Sequence, residues 1–286
     1  MKPRALPSSV TTAAGSLLAI GGAEDKLRQR EILARFAALA GGTDARVVII
    51  STASSLGDVA ADRYRAVFAS LGMTDTEGMR PLNREEAQDP RLAARIAQAT
   101  GIFLTGGNQL RLASVVAGTR LGAALVEQHR RGAVVAGTSA GASALSNHMI
   151  AFGRSGPSPR QRMAQLGAGL GLLPDMLIDQ HFTERNRIGR LEALVAHSPS
   201  LLALGIDEDT AALIGPDRVL EVIGKGSVTI LDGSNLVTDA HEVARHRPLM
   251  VSGVLLHVLT SGYRFDLRSR KLLGPLQSLV EREASE

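Results

Sequence analysis

Ala133-Val-Val-Ala-Gly-Thr-Ser139-Ala-Gly-Ala-Ser-Ala-Leu145 is the stretch on which the fold turns. Its first four residues are small and aliphatic without alternation, the pattern of a strand covered on both faces in a parallel sheet. G-x-S-x-G follows, from Gly137 to Gly141, and leads into a run of small residues compatible with a helix. That strand, turn and helix are the context a nucleophile elbow needs. Two glycines admit a sharp turn, the serine between them projects its hydroxyl, and the next backbone N–H, from Ala140, faces a developing oxyanion. The alternative is a Gly-rich turn with an ordinary serine. Ser143 and Ser146 lie further into the helix and read as packing or back-bonding residues.

Outward from this point the same texture recurs. Leu17-Leu-Ala-Ile20, Val47-Val-Ile-Ile50, Ile102-Phe-Leu104, Met176-Leu-Ile178 and Leu202-Ala-Leu-Gly-Ile206 are aliphatic runs too short for helices. Between them Tyr64, Val67, Phe68 and Leu71 recur at helical spacing, as do Leu92 and Ile96 after the helix-start pair Asp89-Pro90. Strand and helix in alternation predict an α/β fold, a mostly parallel sheet with helices on both faces. After Gly215 the texture changes to Val219-Leu-Glu-Val-Ile, Ser227-Val-Thr-Ile-Leu and a turn at Asp232-Gly233. This predicts a C-terminal antiparallel β extension over 216–286. No repeat, low-complexity tract or linker interrupts the 286 residues, so 1–286 is expected to form one domain.

Composition narrows the function classes. Hydrophobic residues make up 44% of the chain and aromatics only 3%, so the core must be built from Ala, Val, Leu and Ile, and disorder is excluded. A net charge of +4 is spread over the chain, and no nucleic-acid face is demanded. No apolar run approaches the roughly 18 to 20 residues of a membrane helix, so no membrane partner is expected. Lys2 and Arg4 ahead of Ala13–Ile20 faintly imitate a signal peptide; the run reads better as a strand of a mature, cytoplasmic protein. With no cysteine, thiolate nucleophiles and Cys-ligated metals are excluded. No clear metal-ligand cluster is present, and neither metal nor cofactor is expected.

In open parallel sheets ligands bind beyond the carboxyl ends of the strands. A serine nucleophile needs a base, usually His, oriented by a third group. Of seven histidines only His181 directly follows a buried strand; His129, His148, His197, His241, His246 and His257 better fit surface or packing roles. The orienting acid is sought in Asp207-Glu-Asp209, again at a strand end. Glu208 has the longest reach, and its neighbours should point the other way in extended backbone. Chain order Ser, His, acid disfavours the α/β-hydrolase fold. Thr105-Gly-Gly-Asn-Gln109 opens another helix and lacks a P-loop lysine, so Gly107 N–H is read as the second oxyanion donor. Thr183 can cap a helix whose first turn would hold Arg185 and Arg187, where the dipole disfavours cations by a few tenths of a kcal/mol upward. Either an anionic ligand sits there or the face is merely solvated. Arg154 to Arg162 is a second Arg-rich stretch, weakly favouring a polymer binder.

These motifs together resemble the cyanophycinases, serine peptidases with a fold similar to class I glutamine amidotransferase domains. The resemblance rests on Gly21-Gly-Ala-Glu-Asp-Lys26, Leu104-Thr-Gly-Gly-Asn-Gln-Leu-Arg111, Gly137-Thr-Ser-Ala-Gly-Ala142, Gly169-Leu-Gly-Leu-Leu-Pro174, Asp179-Gln-His-Phe182 and Gly205-Ile-Asp-Glu-Asp-Thr-Ala211. It implies Ser139 as nucleophile, His181 as base and Glu208 as orienter. It implies further that Asn108, Gln109, Asp179, Gln180, Arg185, Arg187 and Arg190 surround the substrate. That substrate would be cyanophycin, a polyaspartate with Arg on each β-carboxyl, cut to β-Asp-Arg dipeptides, and the expected assembly is a homodimer. Two alternatives stay open: a related dipeptidase cutting after N-terminal Asp, and a non-catalytic amidotransferase-like protein that binds an anion.

Overall fold

A computed structural model describes residues 13–275; Lys2, Arg4 and the last eleven positions of the expected extension, 276–286, lie outside the described residues. Along the chain come β1 (Leu17–Ile20), α1 (Glu31–Ala40), β2 (Arg46–Ile50), α2 (Asp58–Ser70), β3 (Asp75–Met79), α3 (Pro90–Ile96), β4 (Gly101–Leu104), α4 (Gln109–Val116), α5 (Arg120–Arg130), β5 (Val134–Thr138) and α6 (Ala140–Ala144). A hairpin of β6 (His148–Gly153) and β7 (Ala164–Ala168) precedes β8 (Met176–Gln180), α7 (Ile188–His197), β9 (Leu202–Ile206) and β10 (Thr210–Ile214). The rest is β: β11 (Val219–Gly224), β12 (Ser227–Asp232), a short pair β13 (Val237–Thr238) and β14 (Val251–Ser252), then β15 (Leu255–Thr260), β16 (Tyr263–Asp266) and β17 (Lys271–Pro275).

A nine-stranded sheet runs β17-β16-β11-β10-β1-β5-β4-β2-β3. From β1 to β3 its neighbours are parallel, and from β1 outward through β10 they are antiparallel. The non-alternating runs follow from burial on two sides: Val47 and Ile49 pack into one core, Val48 and Ile50 into the other. Half of the eight aromatic residues gather on one face, where Phe36, Tyr64, Phe68 and Phe103 have ring centroids 4.5–6.3 Å apart. Offset and edge contacts there add to burial.

A second sheet of four strands, β15-β12-β9-β8, stands apart from the first. β8 and β9 are parallel to each other, and β12 and β15 are antiparallel additions. The strands that lead into His181 and Asp207 therefore belong to a different sheet from the strand that leads into Ser139. The antiparallel region also begins earlier than expected, at Thr210, and reaches back to pair with β1. One local expectation is corrected. Thr183 does not cap a helix: its hydroxyl donates to Asp207 at 2.8 Å, and α7 starts only at Ile188 with Arg187 in the capping position. Arg185 thus lies before the helix, and the dipole conflict does not arise.

Candidate active site

Ser139 stands between β5 and α6 at φ 51° and ψ −110°, a conformation rare for residues with a side chain. Such strain amounts to roughly 1–3 kcal/mol and persists only when surroundings over-determine it. Here the Ser139 N–H donates to Ile20 O at 2.9 Å on β1, and its carbonyl accepts from Ser143 N–H at 3.1 Å in α6. The hydroxyl is left facing the second sheet. Its Oγ lies 2.9 Å from His181 Nε2 and 3.4 Å from Gln180 Oε1.

His181 follows β8 and also has positive φ, 47°. Its backbone N–H donates to Gly21 O at 2.8 Å, tying it to the end of β1. The ring's Nδ1 lies 2.5 Å from Glu208 Oε1. A proton on Nδ1 facing the carboxylate leaves Nε2 as acceptor for the serine hydroxyl. Gly22 forms the surface against which the ring lies: at φ +104°, a Cβ there would stand 2.4 Å from imidazole Cε1 and 2.6 Å from Nε2. Only glycine suits both the backbone and the space.

Glu208 sits between β9 and β10, in the three-residue link that joins the two sheets. Asp207 Oδ1 accepts from Thr183 N–H and Oγ, and its Oδ2 from Ser227 N–H and Oγ. Asp209 accepts from Asp25 N–H at 2.7 Å and pairs with Lys225 Nζ at 2.6 Å. The outer carboxylates are thus committed to the scaffold, and Glu208 alone of the three meets the imidazole.

Beneath the elbow lies a polar cluster that sequence reasoning passed over. Buried Glu24 accepts from Thr138 Oγ1 at 2.6 Å and from the Tyr64 hydroxyl, and pairs with Lys26 Nζ at 2.9 Å. Burial, and then the Glu24 carboxylate, push the Tyr64 phenol well above its ordinary range, so it remains a donor. Thr138 immediately precedes Ser139, and Gly22 precedes Glu24 by two residues. The only sequence signal was an acid inside the Gly-rich loop after β1.

The candidate oxyanion donors are backbone groups. Ala140 opens α6, where the first N–H groups have no intrahelical partner. Gly107, at φ +140°, packs so tightly that a Cβ would lie 2.0 Å from Ala53 O, and a Cβ on its neighbour Gly106 would lie 3.3 Å from Ser139 Cβ. The Thr105–Gln109 loop therefore hangs directly over the serine.

The residues assigned to substrate by resemblance separate into two sets. Asn108 Oδ1 caps α4 by accepting from Arg111 N–H, and Gln109 Nε2 donates to Ile150 O and Ala151 O, fixing the hairpin strand β6. Asp179 is buried and pairs inside the protein: Arg190 Nε reaches Oδ2 at 2.5 Å, and the Arg190 Nη2 and Arg187 Nη1 groups reach Oδ1. Both Asp179 oxygens are taken by two arginines of this chain. Arg187 and Arg190 are likewise turned inward, and burial pushes Arg187 down to about 10 despite Asp179. Two guanidinia on one carboxylate leave one positive charge over. Gln180 faces Ser139, and Arg185 is exposed with no carboxylate partner among the described residues.

Peptidase family S51 matches over residues 17–222. The chain belongs to peptidase family S51. A cyanophycinase of Geminocystis herdmanii is 41% identical over 268 residues, covering 93% of this chain and 97% of the relative. A cyanophycinase of Nostoc sp. is 42% identical over 269 residues, covering 93% and 89%. Among solved structures, a peptidase from an acI-B1 Actinobacterium superposes with a TM-score of 0.67 at 22% identity, covering 90% of this chain and 98% of that one, a likeness of fold. Family S51 membership makes the chain a serine-type peptidase by class. No helix among the described residues is long and apolar enough to cross a membrane, and no group of three or more His, Asp or Glu side chains there converges to hold a metal ion.

Proposed function

We propose that this family S51 chain is an exopeptidase that hydrolyses cyanophycin to β-Asp-Arg dipeptides through a serine-bound acyl intermediate. The observation that carries the reading is the line Ser139 Oγ, His181 Nε2, His181 Nδ1, Glu208 Oε1, with steps of 2.9 Å and 2.5 Å across the ring. The high identity to relatives named cyanophycinase supports the substrate. Ser139 Oγ attacks the scissile carbonyl carbon while its proton passes to Nε2, and Glu208 stabilises the imidazolium. The carbonyl oxygen becomes an oxyanion against the N–H groups of Ala140 and Gly107. The proton on Nε2 then moves to the leaving amine as the C–N bond breaks. Water, deprotonated by the same nitrogen, attacks the ester and returns Ser139 to its starting state. Arg185 is the carboxylate fork left free to meet substrate. Since the trio draws on both sheets, residues 13–275 are read as one domain.

The working assembly is proposed as a homodimer. Leu256 and Val258 share one face of β15 and are each more than half exposed, apolar side chains suited to contact with a second copy.

The deciding experiment is product analysis on purified cyanophycin. Release of β-Asp-Arg by the wild type and none by Ser139→Ala supports the reading; an intact polymer after prolonged incubation with folded wild-type protein overturns it. Time-dependent labelling of Ser139 by an organophosphonate separates a peptidase from a binding protein.

A further inference from the structure

A groove of about 520 Å³ is lined by residues 154–158 and 160–163 and by His246. This is the size of a small-molecule site. Its cationic lining is Arg154, Arg160 and Arg162, with the hydroxyls of Ser155 and Ser158 and the ring of His246 among them. No carboxylate among the described residues lines it. The chain carries no Asp or Glu between Glu127 and Asp175, so the loop brings no counter-charge of its own. The three arginines are exposed and form no ion pair among the described residues; Arg160 reaches only the His246 carbonyl, at 3.5 Å.

The groove is physically continuous with the catalytic segment. Gly156 N–H donates to Asn186 O at 2.8 Å, Gly189 N–H donates to Gly156 O at 3.0 Å, and Arg190 Nη1 reaches Gly153 O at 3.5 Å. From His181 the chain passes through exposed Arg185 and the Arg187–Asp179–Arg190 cluster, which keeps one positive charge in excess, and arrives at the groove wall. The stretch from the base to the groove thus carries three arginines, Arg185, Arg187 and Arg190, against two carboxylates, Asp179 and Glu184.

We propose that this groove is a second binding site, holding the carboxylates of polymer units beyond the one being cut; the proposal rests on the cyanophycin reading. Each unit of that polymer repeats an arginine α-carboxylate close to the backbone, with its guanidinium at the far end of a flexible arm. A groove with three unpaired arginines and no acid accepts the carboxylates and leaves the guanidinia in solvent. Such contacts lie away from the scissile bond and hold substrate and transition state equally, so they act on KM.

The test uses Arg160→Ala/Arg162→Ala in the full chain, in two arms. In the kinetic arm, KM for long cyanophycin rises about five- to tenfold, its dependence on ionic strength flattens, and KM and kcat for a two-unit β-Asp-Arg oligomer stay at wild-type values. In the binding arm, fluorescein-labelled octa-aspartate, which needs no catalysis, binds the double variant several-fold more weakly than wild type. An unchanged KM on the polymer, an equal change on the two-unit oligomer, or unchanged octa-aspartate affinity overturns the groove site. A wild type that cuts neither substrate overturns the cyanophycin reading instead, and the binding arm alone then decides whether the groove takes carboxylates.

Discussion

Asp207, Glu208 and Asp209 are adjacent in sequence and differ entirely in what they touch. Glu208→Gln keeps the size but removes the charge facing His181 Nδ1, and kcat/KM is expected to fall about 10³-fold with little change in melting temperature. Ser139→Ala and His181→Ala should each cost about 10⁴-fold or more, because members of a triad act as a unit. Asp207→Asn puts an amide N–H2 opposite donors from either Thr183 or Ser227, losing two of four hydrogen bonds, so the melting temperature should drop by roughly 3–8 °C while more activity survives than in Glu208→Gln. Steady-state kinetics beside calorimetry on these variants checks both; an Asp207 variant more damaged in turnover than the Glu208 one would reassign the acid. Reach and alternation along extended backbone were enough to single out Glu208. Asp179, Arg187 and Arg190 were not separable in that way. Their pairing spans eight and eleven residues through a bend and a helix start, and nothing in periodicity records which guanidinium turns inward.

Short aliphatic runs marked the strands because burial on two faces suppresses alternation, and β9 was bounded to the residue at Leu202–Ile206. The division into two sheets left no such mark. A strand in either sheet meets the same demand for bulk apolar side chains, and partner choice is set by long-range packing. The start of α7 was missed because Thr183 prefers a buried carboxylate to an open helix end. The loop after β1 offers the sharpest test at this scale. Gly22→Ala forces the His181 ring away from its place, and a displacement near 1 Å should reduce kcat/KM about 100-fold with the secondary structure intact by circular dichroism. Glu24→Gln weakens the tie between that loop and Thr138, so kcat should fall more than KM rises. Wild-type kinetics in both variants would mean that neither contact positions the reacting atoms.

For the whole molecule, substrate choice follows from charge. Cyanophycin should be cut far faster than unmodified polyaspartate, whose units lack the arginine arms, and Arg185→Ala should depress kcat/KM on the polymer several-fold without slowing attack on a small activated ester. Paired rates on the two polymers check this; equal kcat/KM would remove the substrate assignment. Leu256→Asp/Val258→Asp should convert a dimer to a monomer in light scattering with most turnover retained, since β15 lies outside the catalytic loops. The link that holds Glu208 has a further consequence. It ties β9 of one sheet to β10 of the other, and the nucleophile and the base stand on opposite sides of that seam. Catalysis therefore works as a gauge of the seam. A slip of one sheet past the other too small to register in far-ultraviolet ellipticity would already misalign the proton path. In rising urea, hydrolysis should disappear at a lower concentration than the circular dichroism signal, and dilution should restore it at once.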